Sequence, residues 1–355
     1  MNLQPRQRAP LLVLGFVALV AGTGAGLVRM GWELPTPFAM LVALHGPLMI
    51  CGFFGTVISL ERAVALGSLW AYAAPLAAGL ATLALLAGSE PAARWFYVAG
   101  AAVLLAATLV ILKRQFALFT LTLAIGASAW LAGSLLWAAG LAVHEVAPWW
   151  IAFLVLTIAG ERLELSRLRP PSPVAVRVFA ALLAACLAGL AAGASAWGRL
   201  LFAASLLALA AWLARQDVAR RTVHGKGLTR FIAIALLAGY AWLAVGAAVA
   251  LAGGGLALGT RAYDAALHAL LVGFVFSMVF GHAPIIFPAV LKVQLPYAPV
   301  FYLPLALLHA SVALRLAGDA LADAALLRLG GAATAFALAA FIVTMATAAL
   351  RAGRR

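Results

Sequence analysis

Twelve runs of apolar residues, each about as long as a hydrocarbon layer is thick, follow one another along this chain with only short polar breaks between them. They cover residues 10–28, 38–60, 69–88, 95–112, 116–141, 147–166, 174–193, 198–214, 230–252, 263–286, 298–318 and 327–350. A helix crosses a bilayer with roughly 20 such residues, because it satisfies its backbone polar groups internally. The whole chain is 66% hydrophobic and 10% charged, which no soluble domain of 355 residues matches. The breaks are too short for a soluble domain. The expectation is therefore an all-α, polytopic membrane protein with about twelve helices, forming one transmembrane domain over residues 1–355. The first run is as long as a full span and eleven more follow, so it reads as a helix and not as a signal peptide.

The net charge of +14 turns into a topology signal once the charges are placed. With the N-terminus in the cytoplasm, eighteen of the 24 Lys and Arg fall on inner segments. Arg29, Arg94, Arg199, Arg261, Arg315 and Arg328 fall on outer ones. Basic residues accumulate on the cytoplasmic side of a bacterial-type membrane, so both termini are expected there. The basic excess is expected to meet anionic lipid headgroups, and nucleic acid is not expected as a partner. Trp32, Trp95, Trp149, Trp150 and Tyr263 fall at expected outer boundaries, and Trp70 and Tyr297 at inner ones.

The longest polar stretch, 215–230, is basic and carries His224. A second basic loop, 167–173, is rich in proline. Cys51 and Cys186 both fall inside spans, so no disulfide framework is implied. Two short patterns repeat. Phe53, Ile58, Glu61 and Arg62 recur as Phe153, Ile158, Glu161 and Arg162, and Ala43-Leu44-His45 recurs as Ala266-Leu267-His268. The second, sixth and tenth spans carry these patterns, which suggests a parallel plan of three four-helix units.

Polar rings inside hydrocarbon mark functional positions. Four histidines lie in spans: His45, His268, His282 and His309. His45 and His268 sit at roughly the same depth below the outer boundary, so two neutral imidazoles are available as axial ligands of a haem. Gly46, Gly52, Gly55 and Gly273 on the same helices leave room for a flat macrocycle. His268 and His282 are 14 residues apart, close to four turns, which places them on one helix face. His309 is the only span histidine left to partner His282 in a second centre. Pro284 and Pro288 are expected to break the helix just after His282, and its imidazole then has the alternative role of capping freed carbonyls. Met49 and Met278 each lie four residues from a histidine. A thioether beside an imidazole suits Cu(I) or a haem iron, and methionine as a gap filler is the plainer reading. Glu61 and Glu161 at inner helix ends read as partners of the adjacent arginines or as proton-relay carboxylates, and Arg261 and Asp264 as contacts to haem propionates or to water. No Cys-x-x-Cys-His, phosphate-cradling loop or nucleophile elbow is present, so the haem expected is of b type.

Twelve spans with histidines on the second and tenth resemble the catalytic subunit of haem–copper oxidases, whose three four-helix arcs hold a low-spin haem through those two helices. The resemblance puts these ligands on His45 and His268. The sixth span offers Glu161 where that family has histidine, and no adjacent histidine pair follows, so oxygen reduction at a haem–copper pair is not implied. The segments 45–62 and 268–284 resemble the NnrS family more closely. These are bacterial twelve-span proteins described as containing haem and copper and linked to nitric oxide metabolism. That resemblance implies a multi-pass protein of the bacterial cytoplasmic membrane that binds haem, with copper as a second metal, and acts in nitric oxide handling or respiratory electron transfer. A redox partner protein and a diatomic ligand such as nitric oxide go with it. The competing expectation is a secondary transporter with a midplane site near His282. The residues do not decide whether the protein is an enzyme.

Overall fold

The computed structural model describes residues 2–165, 170–193 and 195–353. The basic residues Arg167, Arg169, Arg354 and Arg355 counted above lie outside them. The described chain is helical and contains no strand. Twelve helices are long and apolar enough to cross a membrane: α1 Pro5–Arg29, α2 Val42–Leu66, α3 Leu69–Leu86, α4 Glu90–Arg114, α5 Leu118–Ala138, α6 Val143–Leu165, α7 Pro173–Ala191, α8 Ala196–Gln216, α9 Gly227–Ala252, α10 Arg261–Leu291, α11 Pro299–Leu321 and α12 Ala324–Ala352. This is a multi-pass membrane protein.

Each expected span has its helix, and the ends follow from local chemistry. Ser172, Ser195 and Thr260 cap α7, α8 and α10 by accepting backbone N–H bonds from Ala175, Gly198 and Tyr263. Pro173 follows directly at the first helical position of α7. Hydroxyls inside the spans turn back on their own helix: Thr108 donates to the Leu104 carbonyl and Thr122 to that of Leu118, both at 2.8 Å. No water is available in hydrocarbon to do that work.

The chain divides into two compact units, one of residues 1–161 with 289–292, the other of residues 162–288 with 293–355. One packing device recurs in both. Glycines spaced seven apart line one face of a helix, and the next helix presses its bulk into the gaps. In the first unit a Cβ on Gly22 of α1 would fall 2.7 Å from the Met49 sulfur of α2. One on Gly133 of α5 would fall 2.8 Å from the Trp150 ring of α6. In the second unit, one on Gly246 of α9 would fall 2.8 Å from Leu270 of α10. The same pairing of neighbours thus returns every four spans.

Two boundary expectations are corrected. Trp150 is not an interfacial anchor. It is fully buried, edge-on to Trp137 at 5.7 Å, because Gly133 admits its ring. Nor do the prolines of α10 end that helix, which runs through Pro284 and Pro288 to Leu291.

Candidate functional site

Each of the two Ala-Leu-His segments is followed by a π-helical stretch, although 42–44 is a 3-10 turn and 266–268 ends an α-helix. In α2 a π-helical stretch, Leu48–Phe54, begins three residues after His45. In α10 another, Ala269–Phe276, begins directly after His268. Such widened turns are rare and concentrate at functional positions.

In the first unit the His45 ring lies against α1, its Nδ1 2.7 Å from the Gly22 carbonyl oxygen. A carbonyl only accepts, so Nδ1 carries the hydrogen and Nε2 of the neutral ring holds the lone pair. Gly26 makes this approach feasible, since a Cβ there would stand 2.8 Å from Cε1 and 2.9 Å from Nδ1 of the ring. Met49, one turn on, fills the Gly22 notch with its sulfur.

In the second unit His268 repeats the arrangement. Its Nδ1 lies 2.8 Å from the Asp264 carbonyl oxygen and 3.4 Å from the Asp264 carboxylate. That carboxylate accepts from Arg315 of α11, at 2.8 Å from Nη2 and 3.1 Å from Nε. Asp264 is thus engaged by Arg315 as well as by His268. Carboxylate and carbonyl partners of this kind hold an imidazole in one tautomer and one orientation, as around metal-bound histidines.

His282 follows the same rule, with Nδ1 at 2.6 Å from the Met278 carbonyl oxygen. That carbonyl is one turn back and is not one that Pro284 frees, so the capping role expected for His282 is replaced by an ordinary turn bond. Its Nε2 is buried without a hydrogen-bond partner among the described residues. The Met278 methyl occupies the notch at Gly239 of α9. The π-helical stretch between His268 and His282 widens the turns, so 14 residues no longer amount to four turns and the shared face is lost.

His309 differs in both chemistry and depth. The Trp242 indole N–H donates to its Nδ1 at 2.9 Å, and the two rings stack at 6.4 Å. The neutral ring therefore carries its hydrogen on Nε2, which is a donor and not a metal-binding lone pair. That nitrogen too is buried without a partner among the described residues. The Asp264–Arg315 pair fixes the antiparallel register of α10 and α11. His309, six residues before Arg315, is level with Leu270, six after Asp264. His282 is on the order of 15 Å deeper. The structure thus does not bring His282 and His309 into one centre.

Among the described residues, no three or more His, Cys, Asp or Glu side chains gather as a metal-binding group. Cys51 and Cys186 are buried and free. A cleft of about 220 Å³ opens in the second unit beside Tyr297, Thr344, Thr347 and Arg351, and none of the four histidines lines it.

The family model described as "Domain of unknown function (DUF8744)" matches residues 8–350. The chain belongs to this family. No curated protein and no solved structure matches it. Reading this DUF8744 chain by its histidines alone overlooks Gly22, Gly26, Trp242 and Arg315. The seven-residue glycine spacing was the available signal for the first. Arg315 and Trp242 left none, because their partners are 51 and 67 residues away.

Proposed function

We propose that this protein binds haem of b type in a bacterial cytoplasmic membrane and serves electron transfer or nitric oxide handling. Support comes from one observation above all: His45 and His268, in matching sequence and each beside a π-helical stretch, both give their Nδ1 hydrogen to a backbone carbonyl. That leaves Nε2 of each as the nitrogen suited to iron. The donor set fits haem better than a bare metal ion. A macrocycle brings four nitrogens of its own and asks the protein for only one or two, whereas a copper ion needs a cluster of side chains. Met49 and Met278, the thioethers nearest the histidines, are taken up in packing, so copper is the weaker part of the reading. When bound, haem supplies one-electron chemistry and a position for a diatomic ligand.

The resemblance of 45–62 and 268–284 to the NnrS family supports the nitric oxide side of this reading. The residues' own task is to hold the rings. Asp264, oriented by Arg315, keeps His268 in one tautomer, and the Gly22 carbonyl does so for His45. The test is a pyridine haemochrome assay on detergent-purified protein. Haem b is expected in the wild type, with the Soret band lost in His45→Ala and His268→Ala. A colourless wild-type protein purified after expression with haem supplied would overturn the proposal.

A further inference from the structure

A site independent of the haem reading lies in the unit formed by residues 162–288 and 293–355. The cleft beside Tyr297 and Arg351, about 220 Å³ in volume, opens where α11 begins and α12 ends. It therefore stands at the polar boundary of two membrane spans. Its floor is firmly packed. Phe301 is fully buried, with the Tyr297 and Phe231 rings edge-on to it, each at 5.8 Å. Arg351, in the last turn of α12, lines the cleft and is exposed. It forms no ion pair with any described residue. Neither lining segment, 296–301 or 344–352, carries an acid. Thr347 and Thr344 line the cleft one and two turns before Arg351. Their hydroxyls donate to their own helix, to the Val343 carbonyl at 2.8 Å and the Ala340 carbonyl at 2.7 Å. What they offer an occupant is therefore oxygen lone pairs.

A cation at the helix end, two acceptors behind it and an apolar floor together select an occupant. A phosphate oxygen meets the guanidinium with a charge-assisted bond. Hydroxyls on the same molecule meet the threonine lone pairs. An ammonium would place a second cation beside Arg351, with no carboxylate lining the cleft to receive it. A choline has no hydrogen to donate. A freely soluble anion gains nothing from the outward faces of α11 and α12, where Leu303, Val343 and Leu350 are each more than half exposed. Acyl chains do gain from that surface. The cleft volume equals that of about 7 water molecules at about 30 Å³ each, enough for a glycerol phosphate and too little for the chains, which stay outside. We infer that this cleft binds an anionic glycerophospholipid whose headgroup carries hydroxyls and no amine, phosphatidylglycerol being the simplest.

The test is native mass spectrometry of the purified full-length protein in detergent. Dioleoyl phosphatidylglycerol, phosphatidylethanolamine and phosphatidylcholine are added at equal mole fraction, and the thermal midpoint is the second readout. Phosphatidylglycerol should be retained about 5-fold more than either of the others, the factor that one basic residue contributes beside an anionic lipid. It should also raise the midpoint with concentration, as a ligand of the folded state does. Arg351→Gln should abolish the preference. Thr347→Trp keeps the charge, fills the cleft and should abolish it too. Both side chains are exposed, so both variants should fold. Arg114→Gln removes an exposed arginine from the end of α4, outside the cleft, and should keep the preference. Glycerol 3-phosphate, the free-anion arm, should leave the midpoint unchanged. Equal retention of the three lipids would overturn the inference, as would a preference that survives Arg351→Gln or Thr347→Trp. So would an equal loss in Arg114→Gln, which would mean diffuse attraction to the basic surface. A midpoint rise with glycerol 3-phosphate that matches that with phosphatidylglycerol would assign the cleft to a soluble anion instead.

Discussion

Substituting Gly26 by alanine probes the seating of His45 without touching the ring itself. The added methyl would stand 2.8 Å from Cε1 and 2.9 Å from Nδ1. Carbon atoms rest at about 3.5 Å or more, so the ring must retreat by about 0.7 Å. The Nδ1–Gly22 bond is 2.7 Å long, and a retreat of that size takes it out of good hydrogen-bonding range. Losing the bond costs about 1 kcal/mol, and crowding a packed contact about 1–3 kcal/mol. Loss of a group that orients a ligand typically lowers metal affinity by about 10–100-fold. Gly26→Ala should therefore weaken haem binding by roughly that factor while the protein still reaches the membrane. Gly15→Ala on the same helix is the control, because its methyl would meet Thr56 at an ordinary 3.4 Å. The assay is titration of apo-protein with haem, followed at the Soret band. Wild-type affinity in Gly26→Ala, or an equal loss in Gly15→Ala, would refute the reasoning.

Asp264→Ala strips Arg315 of its carboxylate and should destabilise the fold by about 2 kcal/mol, read as a lower thermal midpoint; Asp264→Asn should recover part of it. Trp242→Phe keeps a ring over His309 and removes the indole N–H, so ¹⁵N NMR of the His309 ring should show the Nδ1 resonance altered and Nε2 no longer held as the sole protonated nitrogen. An unchanged tautomer signature would mean that the bond does not set it. His309→Ala should leave the haem spectrum intact where His268→Ala abolishes it, and equal losses would contradict the donor role given to His309. Gly133→Leu should sharply reduce the yield of folded protein, since Trp150 occupies that space, and a normal yield would show that the α5–α6 contact is dispensable.

The twelve helices were legible because bilayer thickness and apolar length are directly related, and the observed ends shift by only a few residues. At α2 the prediction of 38–60 became Val42–Leu66, because Pro35 opens a separate short turn at Thr36–Ala39. The matched histidines were legible as a repeated triplet. Their shared Nδ1–carbonyl bonding was not, since one carbonyl belongs to a different helix. Pro284 and Pro288 read as a break because a proline removes a turn bond. The helix continues through them all the same. The depth of His309 depends on the register of α10 against α11, which the Asp264–Arg315 pair, 51 residues apart in the chain, helps to fix. Arg162 read as a partner for its neighbour Glu161, and its burial is a tertiary fact.

The most direct test is haem quantification on the purified wild-type protein beside its two single-histidine variants. Stoichiometric b-type haem in the wild type, lost on replacing His45 or His268 and kept on replacing His309, is the predicted result. Haem-free wild type, or haem that survives both replacements, would contradict the assignment.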